Sequence, residues 1–134
     1  MPEPIISVSG LRGIIGESLT PEVAMRYVAA FASAMPPGLI LVSRDGRPSG
    51  KMLAQAVHAS LHAMGRDTLD AGILSTPTVG TLVREVHAGG AVQITASHNP
   101  LPYNGLKLFS ADGRIIPAGP GQQVLDRYRA GQFD

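Results

Sequence analysis

The strongest constraint on the fold is a repeating order of β-rich runs and helical patterns with marked boundaries between residues 39 and 95. Leu39 to Ser43 reads as a buried strand, and the next apolar positions, Leu53, Val57, Leu61 and Met64, recur at helical spacing before a stop at Gly65. A second strand spans about Thr68 to Ile73. Thr76-Pro77 then opens a helix that buries Val79, Leu82, Val83 and Val86 and stops at Gly89-Gly90. Ala91 to Thr95 is a third strand. Strand–helix units with such short connections favour parallel strands joined by right-handed crossovers.

The flanks extend the pattern. Residues 4 to 8 read as a short strand, followed by a loop holding Gly10, Gly13 and Gly16. Thr20 is a candidate N-cap with Pro21 and Glu22 in the first turn, and that helix runs to about Met35, where Pro36-Pro37-Gly38 ends it. Beyond Thr95 come a loop over residues 96–104, with Asn104-Gly105 as its turn, and a strand from Leu106 to Phe109. A turn at Asp112-Gly113 then gives Arg114 to Ile116 as hairpin partner, and a helix covers Gln122 to Arg129. The expected fold is α/β: a three-layer α/β/α domain, residues 1–134, with a mostly parallel mixed sheet and an antiparallel edge strand or hairpin. Loops 9–16, 44–50 and 96–104 all leave strand ends, where α/β sheets collect ligands, so they are expected to meet on one edge.

Composition narrows the function classes. With 11 basic residues against 10 acidic ones, the chain has no field that argues for nucleic acid. No apolar run approaches the roughly 20 residues that span a bilayer, and the Met-Pro-Glu-Pro start lacks signal-peptide features. No cysteine is present, which excludes disulfides and suits a reducing cytoplasm. Four histidines are read as standing apart, without a zinc-like pairing. Familiar phosphate motifs fail: Gly46 to Lys51 has three residues between its glycines where a P-loop needs four, and Met52 stands where a metal-binding hydroxyl belongs. The glycines at 10, 13 and 16 miss the dinucleotide spacing, and no Gly-x-Ser-x-Gly elbow occurs.

A different segment carries chemistry. Thr95-Ala96-Ser97-His98-Asn99-Pro100 brings a hydroxyl, an imidazole and an amide together at a strand end, and Lys107 follows on the next strand. This run, with Tyr103-Asn104-Gly105-Leu106-Lys107 after it, resembles the phosphoserine loop of the α-D-phosphohexomutases (phosphoglucomutase, phosphomannomutase and phosphoglucosamine mutase). Ser9-Gly10-Leu11-Arg12-Gly13 and Arg44-Asp45-Gly46-Arg47-Pro48-Ser49-Gly50 match in the expected order, so the resemblance spans about residues 5 to 117.

The resemblance implies that Ser97 is the phosphorylated nucleophile, that His98 lines the phosphate site, and that Lys107 is a general base or acid for the sugar hydroxyl. It makes Arg12 an active-site cation. Asn99, Asn104, Arg44 and Arg47 are candidates for substrate or phosphate binding. Pairing of Arg44 or Arg47 with Asp45, holding loops together, is the stronger reading of that run. The implied reaction moves a phosphoryl group between C1 and C6 oxygens of a hexose phosphate through a hexose 1,6-bisphosphate. The implied cofactor is Mg²⁺, held by the Ser97 phosphate and by aspartates of another domain, since family members have four domains and only the first is present here.

Substrate cues conflict: Val8-Ser9-Gly10-Leu11 departs from the Thr-Asp-Gly usual in bacterial phosphoglucosamine mutases, whereas Ala96 leans away from the phosphomannomutase form. The alternatives are a non-catalytic binding or assembly domain, and a phosphatase that works through phosphoserine.

Overall fold

A computed structural model of the chain describes residues 3–133. Met1, Pro2 and Asp134, which the single-domain expectation included, lie outside the described residues. The strands are β1 (Ile5–Ser7), β2 (Gly10–Ile14), β3 (Ile40–Arg44), β4 (Thr68–Ile73), β5 (Gly90–Ile94) and β6 (Tyr103–Ser110). The helices are α1 (Pro21–Ala34), α2 (Gly50–Ala63), α3 (Thr76–Glu85) and α4 (Ala118–Ala130).

These strands form one mixed sheet in the order β1-β2-β6-β5-β3-β4. The α/β class holds, and β2, β3, β4 and β5 point the same way. The sheet is mixed in its pairing. β3 pairs in parallel with β4 and β5, whereas β1–β2, β2–β6 and β6–β5 are antiparallel. The cause is β6, which returns from β5 and wedges between it and β2. The antiparallel edge is β1. The hairpin partner at Arg114–Ile116 shrinks to a single bridge from Ile115 to Phe109, because the chain leaves for α4.

Alternation along the central strands divides the core into two faces. Ile40, Val42, Val92, Ile94, Leu106 and Leu108 pack with Tyr27, Val28 and Phe31 of α1, Leu53, Val57 and Leu61 of α2 and Val124 of α4. Leu41, Ala91 and Phe109 face the other way, onto Val79 and Val83 of α3. Each fully buried Leu, Ile or Phe contributes about 1.5–3 kcal/mol relative to exposure. Three helices thus cover one face and one helix covers the other, completing the α/β/α layers.

Local signals explain the helix ends. The Thr20 hydroxyl accepts from the Val23 N–H at 3.2 Å with Pro21 in the first turn, as the sequence indicates. The other end of α1 has a cap no local pattern announces. The Arg66 guanidinium donates to the carbonyls of Ala32, Met35, Pro36 and Gly38 at 2.6–3.0 Å, satisfying groups that a helix end leaves orphaned. At α3 the expected Thr76 cap moves to Ser75, because the Thr76 hydroxyl instead donates to Gln93 Oε1 of β5 at 2.8 Å.

Two further expectations give way. The glycine-bearing segment read as a loop is strand β2, and Asn104-Gly105, read as a turn, lies inside β6. Both follow from close backbone approach. A Cβ on Gly10 would strike the Leu106 carbonyl, and one on Gly105 would strike the Leu11 carbonyl. Glycine is what lets β2 and β6 pair here.

Candidate active site

The β2–β6 register sets the site. Gly10 lies opposite Lys107, and Arg12 lies opposite Gly105. Directly opposed residues share a face, so Arg12 and Lys107 are diagonal neighbours on one face. Each long cation has a glycine across from it. Gln93 of β5 pairs with Lys107 and its side chain reaches Leu74 and Thr76, at the start of α3. Arg12 and Lys107 therefore emerge on the face that only α3 covers.

A cleft of about 330 Å³ opens there, lined by Arg12, Lys107, Thr95, Ala96 and Ser97, with Ile5, Ser7 and Ser9 on its far wall. Three residues from three separate segments, the nucleophile candidate and two cations, share one cavity. His98 is exposed and is not among the lining residues. Ile5 and Ser7 were not singled out from sequence, and Ser9 entered only as part of the Ser9–Gly13 motif. They belong to the β1–β2 turn region, and only the pairing Ile5–Arg12 and Ser7–Gly10 puts them beside the site.

The loop carrying Ser97 is built around Arg47. Its Nε donates to Asp45 Oδ2 at 3.3 Å. One terminal nitrogen donates to the carbonyls of Pro100 at 2.8 Å and Tyr103 at 3.1 Å, and the other to those of Ser97 at 2.9 Å and Asn99 at 2.6 Å. A guanidinium has five N–H groups, and all five are engaged. The side chain is only 10% exposed, so these contacts also replace the water its charge has lost. The pairing of Arg47 with Asp45 read from sequence is present. In this arrangement every Arg47 donor is spent on the protein itself.

Asn104 is also held within the protein. It is fully buried; its amide donates to the Ser49 hydroxyl at 2.9 Å, and its oxygen accepts from the Gly105 N–H at 2.9 Å. It ties β6 to the start of α2. Arg44 lays its stem beside Gly50, where a Cβ would stand 3.3 Å from Arg44 Cδ, and Asn99 contributes its carbonyl to Arg47. Neither lines the cleft.

A second chain of contacts runs into the Ser97 backbone. Thr95 Oγ1 donates to Asp45 Oδ2 at 2.7 Å and accepts from the Ser97 N–H at 3.0 Å. Ser97 has φ 55°, in the left-handed region, where a non-glycine residue costs on the order of 1–3 kcal/mol and persists only if its surroundings enforce it. The three loops do meet. Besides the Arg47 contacts, the Ile15 N–H donates to the Pro102 carbonyl at 2.9 Å.

Residues 4–134 match the family described as phosphoglucomutase/phosphomannomutase, alpha/beta/alpha domain I. The chain belongs to that family. As a domain I of the phosphoglucomutase/phosphomannomutase family, it is 40% identical over 129 residues to the phosphoglucosamine mutase of Saccharopolyspora erythraea, covering 92% of this chain and 29% of that protein. It is 43% identical over 121 residues to the phosphoglucosamine mutase of Staphylococcus saprophyticus, covering 86% and 27%. A solved phosphoglucomutase/phosphomannomutase family protein from Burkholderia thailandensis superposes with a TM-score of 0.81 at 32% identity, over 97% of this chain and 32% of that one. The chain therefore spans less than a third of the length of these relatives.

No helix among the described residues is long and apolar enough to cross a membrane. The isolated reading of the histidines also changes. His58 and His62 lie one turn apart on α2, their rings tilted with centroids 6.2 Å from each other, and both reach the Thr68 hydroxyl at 2.9 and 3.0 Å.

Proposed function

We propose that this chain is the phosphoserine-bearing domain of a phosphosugar mutase that exchanges phosphate between the C1 and C6 positions of a hexose phosphate, and that the sugar is glucosamine. The observation that carries the reaction is the shared cleft of Ser97, Arg12 and Lys107. The sugar is supported by the name phosphoglucosamine mutase borne by relatives at 40–44% identity.

In the first half-reaction the free hydroxyl of the sugar phosphate attacks phosphorus on phospho-Ser97. The new bond is sugar oxygen to phosphorus, and the bond that breaks is phosphorus to Ser97 Oγ. The sugar hydroxyl's proton ends on Ser97 Oγ, with Lys107 Nζ as its carrier. Arg12 faces the equatorial oxygens, where its fork of donors meets the charge of the loose transition state. The resulting 1,6-bisphosphate turns over, and Ser97 Oγ takes the other phosphoryl group by the reverse of the same steps. His98, exposed beside Ser97, is assigned the outer face of the phosphate.

Magnesium, when bound through the phosphoserine, would add charge neutralisation. The described residues include no group of three or more His, Asp or Glu able to hold a metal, so among them the Ser97 phosphate is the group that would hold the ion. The missing carboxylates, the sugar-reading loop and the distal phosphate site are assigned to three further domains of one polypeptide, in the cytoplasm.

The test uses the full-length polypeptide with magnesium and the 1- or 6-phosphates of glucosamine, glucose and mannose. Isomer formation fastest with glucosamine, and abolished by Ser97→Ala, is the expected result. Normal turnover by Ser97→Ala would remove the assignment. Ser97 is exposed in this chain, which favours slow phosphate release to water as a second reading of the chain by itself. Measuring inorganic phosphate against isomer in the same assay separates the two.

A further inference from the structure

We infer that Thr95, held by Asp45, is a positioning residue that aims Ser97 into the cleft; the inference rests on the reading of Ser97 as the phosphoryl carrier. Four observations converge on it. Ser97 holds a left-handed backbone at φ 55°, a conformation that L residues rarely keep without support. Its N–H has its partner in Thr95 Oγ1 at 3.0 Å. That hydroxyl has one proton to give, and it gives it to Asp45 Oδ2 at 2.7 Å, which fixes the lone pair that faces Ser97. Asp45 in turn cannot swing away. Its Oδ1 accepts the Arg47 N–H at 3.1 Å, its Oδ2 accepts from Arg47 Nε, and its own N–H donates to the Ile94 carbonyl at 3.0 Å.

The relay thus runs from a carboxylate anchored on the strand end of β5, through one hydroxyl, to the peptide that precedes the nucleophile. Thr95 also lines the cleft beside Ser97, yet its hydroxyl proton and one lone pair are committed to protein atoms, so its work is on Ser97 and not on the ligand. Arg47 holds the loop's path by its carbonyls, and Thr95 sets the direction of one peptide within that path. The left-handed turn at Ser97 requires both.

The experiment compares Thr95→Val and Thr95→Ser with the parent in the full-length polypeptide, reading kcat and KM with glucosamine 6-phosphate, and the rate of Ser97 phosphorylation by glucose 1,6-bisphosphate as mass gain. Valine keeps the shape and removes both hydrogen bonds. A misplacement near 1 Å costs about 100-fold in rate, so kcat and the phosphorylation rate of Thr95→Val should fall by about that factor, with KM within about threefold. Thr95→Ser should recover most of the loss. A melting temperature reduced alike in both variants, with kcat unchanged, would show an ordinary packing role and overturn the inference, as would Thr95→Val turning over like the parent. A parent that never takes phosphate on Ser97 would remove the mutase reading itself, and the positioning role with it.

Discussion

Arg47 and Ser97 lie 50 positions apart in sequence, and the Arg47 guanidinium donates to the Ser97 carbonyl at 2.9 Å. The other four N–H groups hold Asp45 and the carbonyls of Asn99, Pro100 and Tyr103. A loop whose tip carries an exposed hydroxyl is thereby pinned from its underside, with no hydrophobic core of its own.

Replacing that guanidinium tests the pin. Arg47→Lys keeps the charge but offers three donors from one point in place of a five-donor fork. At least two of the part-exposed carbonyls lose their partner, at about 0.5–1.5 kcal/mol for each hydrogen bond. Amide hydrogen exchange should accelerate across residues 96–103 while α1 and β3 stay protected, and unfolding should shift to lower denaturant. Unchanged exchange in that loop would show that the clasp is not what orders it.

Gly105 is the second test. A Cβ there meets the Leu11 carbonyl, the Thr95 carbonyl at 2.9 Å and Arg12 Cβ at 3.1 Å. Two of those three neighbours are backbone and cannot rotate away. Gly105→Ala should destabilise the fold by about 1–3 kcal/mol, the usual cost of overpacking, and should widen the spacing of Arg12 from Lys107. Thermal unfolding of the chain reads the first effect. A melting point equal to the parent's would contradict the tight β2–β6 approach.

The helix cap gives a smaller, cleaner effect. Thr20→Ala removes the acceptor of the Val23 N–H, 3.2 Å away, and should cost about 1 kcal/mol. Thr20→Ser should restore most of it, and equal stability in all three proteins would argue against the cap.

Acid sensitivity should come from His58. Burial lowers its pKa below the ordinary 6.5; Asp70 opposes the shift and the neighbouring His62 adds to it. A lowered folded value means that the native state binds fewer protons than the unfolded chain between the two values. Stability therefore rises with pH across that window and is lost as pH falls from 6.5 towards the folded value. Denaturant unfolding of parent and His58→Gln at stepped pH measures it. The parent should weaken below about pH 6.5, with a flatter profile in His58→Gln. Identical slopes would assign the acid limb to other groups.

Residues with local signatures were legible in the sequence. Thr20-Pro21 and Gly65 mark helix ends because a cap or a left-handed stop depends on neighbours within a turn, and β3 and β5 announce themselves as apolar runs. That the segments of Ser97, Arg12 and Lys107 would share one edge was legible from their places at strand ends, and the three line one cleft. Strand β2 was not, since two of its five residues are glycine and serve close approach, not strand propensity. Asn104-Gly105 misleads for a related reason: the pair has turn composition, but the Asn104 amide satisfies β6 and Ser49 from within the core. The function of Arg47 was half legible. Its partner Asp45 is two residues away, whereas its other acceptors are main-chain atoms 50 to 56 residues distant, and no side-chain pattern marks a carbonyl.

The Arg47 contacts constrain how the loop carrying Ser97 can vary. Four of the five Arg47 acceptors are atoms that every amino acid possesses, so exchanging His98 or Leu101 for other residues leaves the same oxygens in reach. Adding or deleting a single residue between Ser97 and Tyr103 does not, because it rotates those oxygens out of the fork. The loop is therefore tolerant of spelling and intolerant of length.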